Sequence, residues 1–481
     1  MARRKFGDLI ILLPGITGSV LERDGKDVWA ITPQAALAAI FSLGNNIKDL
    51  EIRGKDDPAK NDLGDGVTAP RLVQDIHLIP GFWQIDGYTQ VKTRLFAELT
   101  LEEGKNWFDY PYDWRRDNRV HGRQLGERAP RWLDAWRKSS GNADAKIVLL
   151  AHSMGGLVAR DFLERHDGWK ITRRLVTFGT PYRGSINAVT TLVNGIEKGL
   201  GPVSVDLSSL LRSFPSMHQL LPIYPSIDVA GTLKRPAETP LPGIDAAKAA
   251  DALKFHRDIE AAVTRNQANE AYRRDGYQIT PIVGIFQNTD QSARLAGSKV
   301  TMFSSLGGED MGGDGTVPRV SATPIELSDD PRETYVSTKH GSLQNAEAVL
   351  SHVVGALTRK RLDRFRDTPF DGFSLDAPTL LTPKQELDVV ATTLGPPEAV
   401  RITLVDVSTG RTIRRRTARR RADGSFRTTI PPLAEGVYRI AVVPADDTTP
   451  MTPVSDLVTV IDPKGTDRKR AEAASGKGRR R

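Results

Sequence analysis

Residues 146–156 read KIVLLAHSMGG and constrain the fold more than any other stretch of this 481-residue chain. The apolar run at 146–151 is typical of a buried parallel strand. The residues that follow Ser153, through Glu164, show a helical pattern. A serine in a sharp strand-to-helix turn needs small residues two positions before and after it, which Ala151 and Gly155 provide. The stretch therefore predicts that Ser153 is presented as a nucleophile at the end of a sheet strand.

Other short apolar runs extend the same pattern along the first 360 residues. They lie at residues 8–13, 173–178, 279–285 and 334–337, and a helix is predicted over about 121–138. Strands that alternate with helices indicate a mainly parallel sheet covered on both faces, so the fold class is α/β. We assign residues 1–360 to this domain.

A serine hydroxyl is a weak nucleophile unless a base takes its proton and a carboxylate orients that base. In α/β-hydrolases these partners follow the serine in the order acid, then histidine. Asp314, inside the glycine-rich loop GGDGTVP, is the best acid, and Glu309 and Asp310 are weaker alternatives. His340 is the best base because it should lie in a loop after the last strand, whereas His352 should lie inside a helix.

The oxyanion of an acyl-transfer intermediate needs two backbone N–H donors. One is expected from Met154, the residue after the nucleophile, and the other from the loop Pro14–Ser19 after the first strand. Within that loop we predict Ile16 as the donor. Nothing in this constellation requires a metal ion or an organic cofactor.

Two further regions depart from the strand–helix alternation. The insertion at about 186–276 contains apolar-periodic segments and is interpreted as a helical lid, or alternatively as an added helical layer without a moving part. Residues 367–463 consist of short Val-, Ile- and Thr-rich segments separated by turn residues, which predicts a small all-β sandwich of immunoglobulin-like (Ig-like) type. Residues 359–366 would be the linker, and 464–481 a disordered basic tail.

Charge is concentrated at the C-terminal end of the chain. Residues 410–481 hold 17 Lys and Arg against 8 Asp and Glu, an excess larger than the net charge of +8 of the whole chain. The arginine cluster 414–416 and 419–421 is predicted either to contact anionic lipid head groups or nucleic acid, or to be a solvated strand surface. No specific nucleic-acid motif accompanies it.

The N-terminal apolar run is too short for a secretory signal, so the expected location is cytoplasmic. The chain has no cysteine, which excludes disulfides, thiolate metal sites and a cysteine nucleophile.

Several motifs together resemble the lecithin:cholesterol acyltransferase (LCAT) family of α/β-hydrolases. They are LPGITGS at 13–19, YDWR at 112–115, AHSMGG at 151–156, FGTP at 178–181, a lid-like segment at 216–222 and GDGTVP at 313–318. The resemblance covers roughly residues 8–355. The eukaryotic members of the family are secreted or membrane-anchored and use disulfides around the lid, whereas this chain has no cysteine. Sterol or lipoprotein specificity is therefore not carried over.

The resemblance implies an enzyme that moves an acyl group from a lipid ester onto Ser153 and then to an alcohol or to water. Two other interpretations stay open. One is a non-lipid hydrolase on the same scaffold, such as a thioesterase or a peptidase. The other is a binding or scaffold protein with a vestigial site. Tyr112–Arg115 is interpreted as a packed, ion-paired structural corner without a catalytic role.

Overall fold

The computed structural model describes most of the chain, and every statement below refers to this part: residues 3–29, 50–73, 77–78, 84–85, 87–195, 197–200, 203–327, 334–358, 372–393, 397–446, 451 and 453–461. At its centre is a six-stranded sheet in which every neighbouring pair of strands is parallel. Across the sheet the strands are Thr334–Val336, Gln278–Gly284, Thr172–Phe178, Ile147–His152, Leu9–Leu13 and Trp107–Asp109. Five of them correspond to the predicted apolar runs, and the edge strand Trp107–Asp109 was not predicted.

Side chains of the strand Leu9–Leu13 show why these runs are apolar without interruption. Leu9, Ile11 and Leu13 belong to one buried core, and Ile10 and Leu12 belong to another on the opposite face. Because successive side chains of a strand point to opposite faces, a strand covered on both sides cannot alternate with polar residues. The sheet is therefore a buried layer between two layers of helices.

The helices of this region bury their apolar residues against those two cores. The predicted helix 121–138 extends from Asn118 to Ser140, and it begins where the Asp117 side chain accepts a hydrogen bond from the Arg119 N–H. The helices in chain order are Thr89–Glu98, Asn118–Ser140, Gly155–Arg165, Ile186–Asn194, Ser208–Ser213, Pro215–Gln219, Ala246–Gln267, Glu270–Asp275 and Glu347–Leu357.

The insertion 186–276 contains both helices and strands, so the predicted helical character holds only for part of it. Besides its helices it contains the strands Glu197–Leu200, Val203–Asp206, Ile227–Val229 and Thr232–Lys234. These strands have only three or four residues, too few for a clear period-two pattern. The last two join Ser292–Ala296 and Lys299–Phe303 in a four-stranded sheet.

Two parts of the insertion belong to the folded core. The helix Ala246–Gln267 buries Phe255, Ile259 and Val263 in the core that also contains the helix Gly155–Arg165. In the lid-like segment of the family resemblance, Met217 and Leu220 are fully buried. These two parts of the insertion therefore pack into the core of the α/β domain.

Smaller sheets complete the first part of the chain. One contains Lys26–Trp29, Leu21–Arg23 and Val67–Thr68, and another pairs His77–Leu78 with Gln84–Ile85.

The C-terminal region forms two antiparallel-dominated sheets that share a single core. The three-stranded sheet contains Ser374–Asp376, Leu387–Thr392 and Ser425–Ile430. The five-stranded sheet contains Leu380–Leu381, Val454–Val460, Gly436–Pro444, Ala399–Asp406 and Thr412–Arg419. Buried side chains of both sheets, among them Val389, Phe426 and Ile440, form one cluster, as in a sandwich. The arginines 414–416 lie on an edge strand.

The predicted linker 359–366 and the predicted tail 464–481 lie outside the described residues. Among the described residues, no helix combines the length and the apolar character needed to cross a bilayer.

Candidate active site

The structure brings Ser153, His340 and Asp314 together in one hydrogen-bonded line. His340 Nε2 lies 2.9 Å from Ser153 Oγ, and His340 Nδ1 lies 2.7 Å from Asp314 Oδ2. The three residues are 2%, 6% and 1% exposed, so the line is shielded from bulk water. An imidazole between a hydroxyl and a carboxylate can take the hydroxyl proton while the carboxylate fixes its orientation.

The turn that carries Ser153 is strained and closely packed. Ser153 has φ 51°, a left-handed conformation that is uncommon for a residue with a side chain. The helix then starts at Gly155, where an added Cβ would lie 2.4 Å from the carbonyl oxygen of Pro14. Glycine at this position therefore lets the nucleophile turn and the loop after the first strand approach each other.

Both predicted oxyanion donors flank this turn. Ile16 and Met154 are 1% and 0% exposed. In the part of the chain that the structure describes, neither backbone N–H has a hydrogen-bond acceptor. Gly15, beside Ile16, lies so close to the nucleophile that an added Cβ would be 3.0 Å from Ser153 Cβ. Unpaired buried N–H groups are rare in proteins, and here they are available to an incoming oxyanion.

The acid loop holds Asp314 in place through its own backbone. Asp314 Oδ1 accepts hydrogen bonds from the N–H groups of Thr316 and Val317, at 2.9 and 2.7 Å. The second carboxylate oxygen is thus left to face His340. The backbone N–H of His340 also donates to the Asp314 backbone carbonyl oxygen at 2.9 Å. This hydrogen bond connects the acid loop to the segment that carries His340.

The position of His340 differs slightly from the prediction. It is the first residue of a short 3-10 helix, His340–Asn345, that follows Lys339, and it does not lie in an open loop. The helical pattern predicted from Leu343 therefore starts earlier, in a tighter form, before the helix Glu347–Leu357.

The weaker alternatives lie away from this line. Asp310 accepts a hydrogen bond from Gln291 Nε2 at 2.6 Å, and Glu309 is exposed. His352 lies within the helix Glu347–Leu357, with its Nε2 3.3 Å from Thr334 Oγ1.

A second hydrogen-bond chain, which the sequence did not predict, connects the oxyanion loop to the base. The Gly15 N–H donates to Tyr88 Oη at 2.8 Å, and Tyr88 Oη lies 3.0 Å from His152 Nδ1. His152 Nε2 in turn lies 3.2 Å from the His340 carbonyl oxygen. Burial, reinforced by the neighbouring His340, lowers the pKa of His152 to about 3, so its ring is neutral.

The direction of this chain follows from its ends. A backbone N–H only donates and a carbonyl oxygen only accepts, so the Tyr88 hydroxyl donates to Nδ1 and the His152 Nε2–H donates to His340. His152 also immediately precedes Ser153 in the chain. Tyr88 and His152 therefore support three parts of the candidate site: the predicted oxyanion loop, the predicted nucleophile Ser153 and the predicted base His340.

Replacing Tyr88 with phenylalanine is expected to lower kcat by about 5- to 100-fold with little change in KM. The change leaves the Gly15 N–H and His152 Nδ1 without partners, a loss of about 1–3 kcal/mol for each buried group. Steady-state kinetics and thermal melting measure the two effects separately. Tyr438→Phe is the control, because the Tyr438 hydroxyl donates to the Ala434 carbonyl oxygen in the C-terminal region, away from the site. Equal kcat values in the two variants would contradict the role assigned to Tyr88.

The Tyr112–Arg115 element is a structural corner, as predicted. Arg115 is fully buried and forms a bidentate ion pair with Asp113, with Nε–Oδ1 and Nη2–Oδ2 distances of 2.8 and 2.6 Å. Tyr112 Oη donates to the Pro14 carbonyl oxygen at 2.8 Å. Trp114 Nε1 donates to the Ser19 carbonyl oxygen at 3.1 Å. The corner therefore fixes both ends of the oxyanion loop.

Replacing Arg115 with methionine is expected to destabilise the protein by about 3–5 kcal/mol, because Asp113 stays buried without its counter-ion. Arg71→Met is the matched control. The Arg71 side chain is 45% exposed and pairs with Glu22 and Asp27, so its loss should cost less than about 1 kcal/mol. Urea unfolding measures both variants, and a similar loss in the two would contradict the assignment.

No group of three or more His, Cys, Asp or Glu side chains suited to a metal ion occurs within the described residues.

The parallel sheet, the strained serine turn and the chain order serine, acid, histidine define an α/β-hydrolase.

Comparison with known proteins finds similarity to one family. Residues 84–322 match the family model of lecithin:cholesterol acyltransferase. The Arabidopsis thaliana protein lecithin-cholesterol acyltransferase-like 4 is 34% identical over 233 residues, which cover 45% of this chain and 42% of that protein. Phospholipase A(1) LCAT3 of the same plant is 30% identical over 242 residues, covering 46% and 51%. Over residues 84–322, just under half of its length, this chain is similar to the LCAT family.

The chain thus spans about half the length of these relatives. Among solved structures, the Tle4–Tli4 complex is similar over 76% of this chain and 100% of the matched chain, with 14% identity and a TM-score of 0.46. The lipase BlEst2 of Bacillus licheniformis, in its propeptide form, is similar over 94% and 92%, with 11% identity and a TM-score of 0.30. These structural likenesses are too distant to bear on function.

Proposed function

We propose that the protein is a serine-dependent acyl-ester hydrolase or O-acyltransferase that acts on lipid-like esters through an acyl-enzyme intermediate. The observation that carries the proposal is the buried line Asp314–His340–Ser153, with hydrogen-bond distances of 2.7 and 2.9 Å. The similarity of residues 84–322 to the LCAT family model supports a lipid ester as the acyl donor. The name of one relative, a phospholipase A(1), points in the same direction.

In the first half-reaction Ser153 Oγ attacks the ester carbonyl carbon while His340 Nε2 takes the hydroxyl proton. The carbonyl oxygen becomes an oxyanion that accepts hydrogen bonds from the N–H groups of Ile16 and Met154. When the intermediate collapses, the bond to the leaving alkoxide breaks and the proton on His340 passes to that alkoxide. The acyl group stays on the serine as an ester.

In the second half-reaction water or an alcohol gives its proton to His340 and attacks the acyl carbonyl carbon. The bond to Ser153 Oγ then breaks, and the proton returns from His340 to the serine oxygen. Hydrolysis and transfer differ only in the attacking hydroxyl, so the exclusion of water from the site decides between them.

The proposal is tested by profiling esters and thioesters of acyl chains from C2 to C16, with and without an added alcohol, and Ser153→Ala as the blank. Turnover that rises with chain length, and is absent in the blank, is expected. A thioesterase would prefer thioesters at every chain length, and a peptidase would cleave amides instead. No turnover of any substrate by the wild type would favour a binding protein with a vestigial site.

We also propose that the hairpin Glu197–Leu200 and Val203–Asp206 forms the substrate cover within the insertion. It follows directly on the helix Ile186–Asn194, whose residue Asn187 lines a cleft beside His340. If the hairpin covers the site, activity should rise when the lipid substrate aggregates and offers a lipid–water interface. Replacing 197–206 with a Gly-Ser linker is expected to reduce this rise. Unchanged interfacial activity would reject the cover.

The C-terminal sandwich is proposed to be an Ig-like domain whose basic edge strand contacts anionic membranes. Arg414, Arg415, Arg416 and Arg419 are exposed, and among the described residues none has an acidic partner within ion-pair distance. Each such cation near an anionic surface contributes about 1 kcal/mol to binding.

Substituting glutamine for arginines 414–416 keeps the strand and is expected to weaken binding to phosphatidylserine vesicles by at least 10-fold. Equal binding of the two proteins would reject membrane contact through this strand. Tighter binding to RNA than to vesicles would favour a nucleic-acid partner instead.

A further inference from the structure

The C-terminal sandwich contacts the segments that lead into the acid and the base. Gln287 Nε2 and Ser337 Oγ both donate to the Phe373 carbonyl oxygen, at 3.0 and 3.1 Å. Lys339, next to His340, forms an ion pair with Asp456 of the sandwich. The two regions thus meet beside the proposed proton-transfer residue.

Between them lies an open cleft of about 340 Å³ that reaches His340. The hydrolase side contributes Asn187, Asn288 and Ser342, and the sandwich contributes Ser374, Asp376 and Thr379. Among the described residues, the side chains of Asn288 and Asp376 have no hydrogen-bond or ion-pair partner in the protein. An amide is thus free on the hydrolase wall of the cleft, and a carboxylate is free on the sandwich wall.

The chemistry decides which part of the substrate such a cleft receives. His340 must hand its proton to the departing alkoxide, and later take one from the incoming hydroxyl. The alcohol portion of the ester therefore lies on the His340 side of the site, and the acyl chain extends elsewhere. Although Leu375 and Leu457 also line it, the cleft exposes more polar than apolar surface. It is therefore a poor place for an apolar alcohol, because its polar groups would be desolvated without partners.

We propose that the cleft is the subsite for the leaving or accepting alcohol, that this alcohol is rich in hydroxyl groups, such as a glycerol or sugar head group, and that the sandwich supplies one of its walls. The inference rests on the proposed function and makes its substrate class narrower. Asp376 and Asn288 are specificity-determining residues in it: the carboxylate accepts hydrogen bonds from substrate hydroxyls, and the amide both donates and accepts. The sandwich thus has its own hydrophobic core and also forms part of the proposed active site.

The test compares two esters with the same acyl chain, 1-decanoyl glycerol and ethyl decanoate. The wild type is expected to favour the glycerol ester by at least 10-fold in kcat/KM, since a site built to bind hydroxyls rejects an alcohol that lacks them. The double variant Asp376→Leu, Asn288→Leu should lose at least about 10-fold on the glycerol ester. Its turnover of ethyl decanoate should stay within about twofold.

Glu386→Leu is the matched control. Glu386 is an exposed acid of the same domain that does not line the cleft, so its loss should change neither rate. Asp376 and Asn288 are also exposed, and thermal melting checks that the variants fold. Equal kcat/KM for the two esters in the wild type, or an equal loss on both in the double variant, would overturn the inference while leaving the proposed function intact. Failure of the wild type to cleave either ester would overturn both.

Discussion

Ser153→Ala is expected to lower kcat for ester cleavage by roughly a million-fold, the loss typical of removing the nucleophile from a serine triad. The residual rate should reflect the oxyanion donors and substrate binding alone. His340→Ala should cost about as much, because without the imidazole the hydroxyl keeps its proton. Asp314→Asn should cost about 10⁴-fold, since the ring then takes the wrong tautomer.

The non-additivity of these losses is the sharper part of this prediction. Because the three side chains act as a unit, adding His340→Ala to Ser153→Ala should lower kcat no further. Single-turnover measurements on an activated ester, with rigorously purified variants, give the comparison. Losses that multiply in the double variant would mean that the two residues act independently, in conflict with their 2.9 Å hydrogen bond.

Acidification is expected to unfold the protein steeply, because four buried histidines must stay neutral in the folded state. Burial lowers the pKa of His152 to about 3, and lowers the pKa values of His121, His218 and His256 to about 4. In the unfolded chain each imidazole takes up a proton near pH 6.5. The stabilising contribution is therefore complete above pH 6.5 and is lost as the pH falls towards 4.

The size of the effect follows from proton linkage. Each group that is protonated only in the unfolded state lowers the free energy of unfolding by about 1.4 kcal/mol per pH unit, so four give about 5 kcal/mol per unit between pH 6 and 4. Burial raises the pKa values of Asp117 and Asp290, so these two carboxyl groups take up protons more readily in the folded state and oppose the loss of stability. They are two groups against four histidines. A domain of ordinary stability, about 5–15 kcal/mol, should thus unfold by about pH 4.

Urea unfolding at several pH values between 4.5 and 7 measures the slope. His256→Gln is the informative variant, because glutamine can still donate to the Gln219 carbonyl oxygen that His256 Nε2 contacts at 2.8 Å. It should reduce the slope by about a quarter. A free energy of unfolding that is flat between pH 6 and 5 would contradict the neutral, buried state of these imidazoles.

The parts of the fold that were predicted correctly depend on local sequence. Five of the six central strands were recognisable as short, largely apolar runs, because a strand between two layers of helices buries both of its faces. The serine turn was recognisable because the small residues that a tight turn requires, Ala151 and Gly155, lie two positions before and after Ser153. The edge strand Trp107–Asp109 and the short strands of the insertion have too few residues for any periodicity to show.

The parts that were missed depend on residues far apart in the chain. Tyr88 and His152 are separated by 64 positions and share no motif, so only the fold shows that they connect the oxyanion loop with the base. His152 directly precedes Ser153 in the recognised motif, and this position was the one feature of the sequence that could have indicated its role. The packing of Asp376 and Asp456 near His340 likewise depends on how the C-terminal sandwich sits on the acid and base loops.

The most direct test of the account is to map the covalent adduct formed with a fluorophosphonate probe at neutral pH. Peptide mass spectrometry should find one phosphonylated residue, Ser153, in the wild type and no adduct in Ser153→Ala. In His340→Gln the labelling rate should fall by at least about 100-fold, because the hydroxyl then lacks its base. Modification at another residue, or equal labelling of Ser153 without His340, would contradict an imidazole-activated serine.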